Sequence, residues 1–274
     1  MSTPSPAIAP TNISSPTPTP AVAPASTVVI VEDDAAVRDI LIELFESAGF
    51  TAVGAENGVD GVEAVRAHNP RITTIDVNMP GIDGFETAKR VRAISETYIV
   101  LVTARAEEAD AVLGLSIGAD DYVTKPFRPR EFRARVEAML RRPRGFAPRD
   151  APAALEPTST ASPSVLIHRD ITLDTSTRAV HKGDDAIVLT RTEFDLLRTL
   201  LESQRRARSK EDLALVARGD TPGVVHVSEL DKRAIESHMT NIRRKLGDPA
   251  AMPVHIETVR GVGYRLTVDA ATQR

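Results

Sequence analysis

Between residues 28 and 124, five short apolar runs alternate with stretches of helical periodicity, and this alternation constrains the fold more than any other feature of the chain. The runs are Val28-Val29-Ile30-Val31, residues 51–55, Ile72-Thr73-Thr74-Ile75, Tyr98 to Val102, and Asp121-Tyr122-Val123-Thr124. They are rich in the β-branched and aromatic residues that suit a buried pleated surface. Between them, Val37, Ile40, Leu41, Leu44 and Phe45 recur at helical spacing, as do Val59, Val62, Ala64 and Val65. Further helices are predicted at 84–94, 107–117 and 130–141. Strands alternating with helices over residues 27–141 predict a doubly wound α/β fold with a five-stranded parallel sheet.

The polar residues interrupt this pattern at one kind of place. Glu32 and Asp33 follow the first strand, Asp76 ends the third, Thr103 ends the fourth and Lys125 follows the fifth. In open α/β sheets the carboxyl ends of the strands border the ligand crevice. Asp76 there is a candidate nucleophile for phosphoryl transfer, which needs a divalent cation to offset charge between acceptor and donor. Mg²⁺ favours oxygen ligands and few carboxylates. Glu32, Asp33 and Asp76, with the backbone carbonyl of Asn78, are the expected ligands. The Thr103 hydroxyl and Lys125 ammonium would meet the transferred phosphoryl group.

Composition brackets this unit with segments of another kind. Residues 1–26 hold seven Pro and no charged residue, which predicts a disordered tail. Residues 142–164 are rich in Pro, Ala, Ser and Thr and read as a flexible linker. Residues 165–270 then change pattern: four short strand-like runs up to Leu189, a Thr190–Glu193 capping box, helices at about 190–201, 209–217 and 230–246, and two strands around Arg260-Gly261-Val262-Gly263. The charge changes too. Residues 27–141 hold 13 Lys/Arg against 20 Asp/Glu, a balance of −7, whereas residues 165–274 hold 18 against 16, a balance of +2. The helix at 230–246 sets Arg233, His238, Asn241, Arg243 and Arg244 among apolar Leu230, Ile235, Met239, Ile242 and Leu246. One apolar and one basic face is the arrangement of a helix that enters the major groove of double-stranded DNA, with Arg260 in the hairpin reaching phosphate or the minor groove. The chain has no Cys, no apolar run long enough to span a bilayer and no basic-then-apolar leader, so a cytoplasmic protein without disulfides or a membrane anchor is expected.

Two sets of motifs sharpen these expectations. VVIVEDD, IDVNMPGIDGFE, VLVTAR and GADDYVTKPF resemble the receiver domain of two-component response regulators. LTRTEFDLLRTLL, RAIESHMTNIRRKLG and IETVRGVGYRL resemble the winged-helix DNA-binding domain of the OmpR/PhoB family. The resemblance implies a phosphorylation-switched transcriptional regulator and not an enzyme, with no catalytic residues of its own. Asp76 would be phosphorylated by a sensor histidine kinase, and Thr103 and Tyr122 would form the switch pair. Tyr122 would rotate inward from solvent behind Thr103 once the phosphoryl group is in place. It also implies homodimerisation on phosphorylation through the helix at 107–117, the last strand and the last receiver helix. Asp120, Asp121, Arg128, Glu131 and Arg135 are the candidate charges there, with Asp121–Arg135 available across the interface and RNA polymerase as a further partner.

Two positions depart from the family pattern. Asn78 stands where an apolar residue is common, and a polar side chain there would help water approach the acyl phosphate. Ala111 stands where a basic partner for Glu131 is common, which predicts a weaker dimer. A Mg²⁺-dependent phosphohydrolase is the competing reading, but it requires a general acid two residues after the nucleophile, and Asn78 cannot serve. A vestigial receiver is disfavoured by the complete acidic set.

Overall fold

The computed structural model describes residues 26–104, 114–115, 117–140 and 164–219, with 227–268; the side chains at 131, 134 and 137–140 are excepted. The expected tail, most of the linker, most of the helix at 107–117 with Ala111, the Glu131 side chain, His226 and the Thr221-Pro222-Gly223 loop lie outside these residues.

The first unit runs β1 (Thr27–Val31), α1 (Ala35–Ser47), β2 (Thr51–Ala55), α2 (Gly58–His68), β3 (Ile72–Asp76), α3 (Gly84–Ile94), β4 (Tyr98–Thr103), β5 (Asp121–Thr124) and α4 (Pro129–Leu140). Its strands form one parallel sheet in the order β2-β1-β3-β4-β5. Because successive side chains point to opposite faces, Val29, Val31, Ile75, Ile99 and Leu101 pack with Val62, Val65, Ala88 and Val91 on one side. Val28, Ile30, Ile72 and Val100 pack with Leu41, Phe45, Phe132 and Val136 on the other. Strand order reverses between β1 and β3, and the crevice at such a switch point is where this architecture places ligands. Glu32 and Asp33 open onto it from one side and Asp76 from the other.

The second unit opens with an antiparallel sheet of β6 (Val165–His168), β7 (Ile171–Asp174), β8 (Ala179–Lys182) and β9 (Asp185–Ala186). Helices α5 (Arg191–Ser203), α6 (Lys210–Arg218) and α7 (Glu229–Leu246) follow, and β10 (Arg208–Ser209), β12 (Gly263–Leu266) and β11 (Ile256–Val259) form a second sheet in that order. The fourth strand falls at Asp185–Ala186 and not at the apolar run Ile187 to Leu189. A tight turn at Gly183 sets His181 opposite Ala186; the Ile187 amide makes a last bond to the Val180 carbonyl at 2.8 Å, and its side chain packs on the core. The capping box on α5 is present as its sequence suggests, with Thr190 and Glu193 each bonding the other's backbone amide.

Gly84 shows how closely the site is packed from behind. A Cβ there would lie 2.1 Å from the Asp76 carbonyl oxygen and 2.6 Å from the Val77 Cα, both backbone atoms. Gly84→Ala must displace either α3 or the strand end that carries Asp76. It is expected to cost about 1–3 kcal/mol, as overpacking usually does, read as a lower urea midpoint for the first unit; an unchanged midpoint would show that α3 is free to shift.

Candidate phosphoacceptor site and nucleic-acid interface

The acidic triplet after β1 is divided between two jobs. Asp34 accepts from the Ala36 and Val37 amides at 2.8 and 3.1 Å and caps α1. Glu32 turns inward and is 1% exposed, while Asp33 stays at the solvent rim. The strand end is pinned on both sides: the Glu32 amide donates to the Ala55 carbonyl at 3.0 Å, and Arg38 donates to the Glu32 carbonyl at 2.8 Å. Asp76 is buried, and the next amide, Val77, donates to the Val102 carbonyl at 2.8 Å, which extends the β3–β4 ladder past the carboxylate.

Lys125 joins the two buried carboxylates. Its backbone amide donates to the Thr103 carbonyl at 2.7 Å. Its Nζ donates to both Glu32 oxygens at 2.8 Å and to Asp76 Oδ2 at 3.1 Å. Burial pushes the Glu32 pKa up to about 7, and the Asp76 charge adds to this against the pull of Lys125. Burial alone would lower Lys125, but its hydrogen bonds to Glu32 and Asp76 outweigh that and hold it above its ordinary value. The site is therefore crowded with negative charge and only partly compensated.

One carboxylate oxygen from each of Glu32, Asp33 and Asp76 lies within 4.8 Å of the others. Three hard oxygen donors with an open solvent side suit a divalent cation that keeps several waters. Thr103 is buried at the end of β4, next to the strand that leads to Lys125. Tyr122 is buried as well, at 5% exposed, packed in the cluster that receives Leu230 and Ala234 of α7. Its expected position in solvent is thus corrected: α7 covers this face. Burial raises the Tyr122 pKa, with the Asp121 and Asp231 charges adding to it.

The basic helix starts at a capping box of its own, in which Ser228 and Asp231 bond each other's backbone amides. Its candidate contact residues are not equivalent. Arg233 and Arg244 are exposed, as is Arg260 beside Gly261 in the β11–β12 turn, where a φ of +75° favours glycine. Arg243 is turned within its own unit, donating to the Ile256 carbonyl and Thr258 Oγ1, both at 2.9 Å. His238 and Asn241 are 1% and 4% exposed. The Asn241 amide donates to the Leu115 carbonyl of the first unit at 2.8 Å. His255 is buried.

Of the charges expected to face a second copy, Arg128 is exposed. Asp120 is held within the first unit by Arg92 at 2.6 Å and by the Ile99 amide at 3.0 Å. Asp121 pairs with Arg135 of the same chain at 3.2 Å. The pair expected between copies closes internally, because β5 and α4 are neighbours in one receiver.

Residues 28–137 match the family model for the response regulator receiver domain, and residues 184–266 match that for the transcriptional regulatory protein C-terminal domain. The chain is 36% identical over 241 residues to the transcriptional regulatory protein AfsQ1 of Streptomyces coelicolor, covering 88% of this chain and 97% of the relative. The chain belongs to the OmpR/PhoB family of two-component response regulators. It is also 34% identical over 241 residues to the sensory transduction protein RegX3 of Mycolicibacterium smegmatis, covering 88% and 99% of the two chains. A solved structure of a RitR mutant shares the fold with a TM-score of 0.63 at 19% identity, over 89% of this chain and 99% of that one. The family consists of transcription regulators of two-component systems and not enzymes, and its receiver binds Mg²⁺ at an acidic pocket of the kind built here from Glu32, Asp33 and Asp76.

Asn78 is exposed at the mouth of this site, and its backbone amide reaches Asp76 Oδ1 at 3.4 Å. An apolar side chain there should hinder water. Asn78→Met is expected to lengthen the half-life of the phosphorylated protein several-fold, followed by intact mass after the phosphodonor is removed; an unchanged or shorter half-life contradicts this.

Proposed function

We propose that Asp76 is the phosphoacceptor and that its phosphorylation controls DNA binding by α7 and the β11–β12 hairpin. The observation that carries this reading is the contact of Lys125 Nζ with both Glu32 and Asp76 at the strand ends. A carboxylate oxygen of Asp76 attacks the phosphorus of a phosphohistidine on the sensor kinase; the P–N bond breaks and its electron pair stays on the imidazole. Glu32, Asp33, Asp76 and the Asn78 carbonyl would hold Mg²⁺, which offsets charge between acceptor and phosphoryl oxygens. Lys125 is already within bonding reach of Asp76 and follows the new oxygens. The Thr103 hydroxyl donates to one of them and Tyr122 repacks behind it. The added group carries about −1.5 to −2 charges, enough to reorder charged neighbours.

On the DNA side, Arg233, Arg244 and Arg260 meet phosphates, His238 and Asn241 face base edges, and Arg243 braces helix against hairpin. The β5–α4 face pairs two phosphorylated copies, with Arg128 and Glu131 reaching across and the Asp121–Arg135 pair closed within each receiver. Two tethered heads then gain affinity for repeated half-sites through effective concentration. RNA polymerase is the expected further contact, and the cytoplasm the expected site of action.

A gel shift against duplexes with a randomised core tests this reading. With Mg²⁺ and a small phosphodonor the wild type should bind about tenfold or more tightly than without, a coupling of typical size, and Asp76→Asn should stay at the lower level. Equal binding in every lane would make the receiver a passive module.

A further inference from the structure

The three carboxylates of the phosphoacceptor site are not held alike. Lys125 bonds those of Glu32 and Asp76, whereas the Asp33 carboxylate meets no partner among the described residues. We infer that Arg38 of α1 is the positioning residue for Asp33: it fixes the two peptide groups that flank this residue and so aims its carboxylate at the cation. This inference deepens the functional reading above and rests on it for the cation.

Arg38 reaches back from the first turn of α1 to the strand end before it. Its Nη1 donates to the Glu32 carbonyl at 2.8 Å and, at a longer 3.4 Å, to the Asp33 carbonyl. The first carbonyl belongs to the peptide group that precedes the Asp33 Cα, and the second to the one that follows it. Peptide groups are planar, so holding both confines the Asp33 backbone dihedrals and with them the direction of its Cα–Cβ bond. The rest of the turn has little freedom to compensate. The Glu32 amide donates to the Ala55 carbonyl at 3.0 Å, Asp34 is committed to capping α1, and the Arg38 amide donates to the Asp34 carbonyl at 2.9 Å.

The geometry calls for arginine. A planar guanidinium presents donors on two nitrogens at once. While Nη1 serves the two carbonyls, Nη2 bonds Glu56 Oε1 at 3.2 Å, one residue past β2. The stem lies against β2, where a Cβ on Gly54 would stand only 3.2 Å from Arg38 Cδ. Arg38 therefore clasps the ends of β1 and β2 from one side of the switch point, as Lys125 clasps β1 and β3 from the other.

Arg38 acts on the cation in two opposed ways. As a positive charge it repels Mg²⁺, and Glu56 offsets this only in part because that carboxylate is 76% exposed. As a support it spares an exposed ligand the ordering that binding would otherwise require. Support outweighs repulsion: the charge is shared with Glu56 and screened on the open side of the site, while loss of an outer-shell partner costs a metal site about 10–100-fold in affinity.

The opposed signs make the inference testable by Mg²⁺ titration of the full chain, followed by amide chemical shifts. Arg38→Gln removes charge and fork together and should weaken Mg²⁺ binding about tenfold. Unchanged or tighter binding would overturn the inference, the tighter result marking Arg38 as a repulsive charge only. Arg38→Lys keeps the charge without the fork and should bind nearly as weakly as Arg38→Gln. In an Asp33→Asn background the aimed carboxylate is gone, so adding Arg38→Gln should change affinity by about twofold or less. A further tenfold loss there, about that of the single variant, would show that Arg38 does not act through Asp33. The urea midpoint without Mg²⁺ reports folding separately. If Arg38→Gln does not fold, Arg38→Lys carries the test, and an affinity equal to the parent's overturns the inference. A parent chain that binds no Mg²⁺ overturns the functional reading and this inference together; a parent that binds, with variants that bind equally, overturns the inference alone.

Discussion

Two buried carboxylates side by side are costly, because each must leave water and each repels the other. In this receiver Lys125 makes the arrangement tenable. It meets Glu32 through both oxygens and Asp76 through one, at 2.8 and 3.1 Å. Its position depends on the parallel sheet: β5 must lie beside β4, and β3 beside β1, for three strand ends to converge. The apolar layers on both faces of the sheet thus hold a charged site that would not form in an isolated loop. A cation and a phosphoryl group entering there would redistribute the same charges without requiring a new fold.

The same economy recurs between the units. Asp231 caps its own helix with one oxygen and meets the receiver with the other, and Asp120 divides its oxygens in the same way. Each contact across the junction is modest. The Arg135–Asp231 pair is largely buried, at 14% and 6% side-chain exposure, so desolvation offsets much of its Coulomb attraction, and an Asn amide on a carbonyl contributes of the order of 1 kcal/mol. A junction built from several such contacts holds the two units together.

Much of this was legible in the chain. Alternating apolar runs located β1, β2, β3 and β5 closely, because buried parallel strands leave short β-branched signatures. The residues at the strand ends were legible for the same reason: a polar side chain directly after such a run has few places to go. Other features were not. Asp34 was left without a role beside Glu32 and Asp33, and only its bonds to the α1 amides show it to be a helix cap. Tyr122 was expected in solvent, and Asn241 and His238 on an open basic face, because helical periodicity assigns one apolar face and treats the rest as exposed. It carries no information about a second unit covering the polar side. Asp121 and Arg135 were assigned to a contact between copies for a related reason, since residue types show complementarity but not whether partners share a chain.

Coupling between Asp76 and the recognition helix must run in both directions, since linkage binds the two to one free energy. The most direct measurement is a titration of the unphosphorylated protein with beryllium fluoride and Mg²⁺, as a phosphoryl mimic, in the presence and absence of saturating duplex DNA. Tighter apparent binding of the mimic when DNA is present is the predicted result. Identical titrations would mean that the two sites do not communicate.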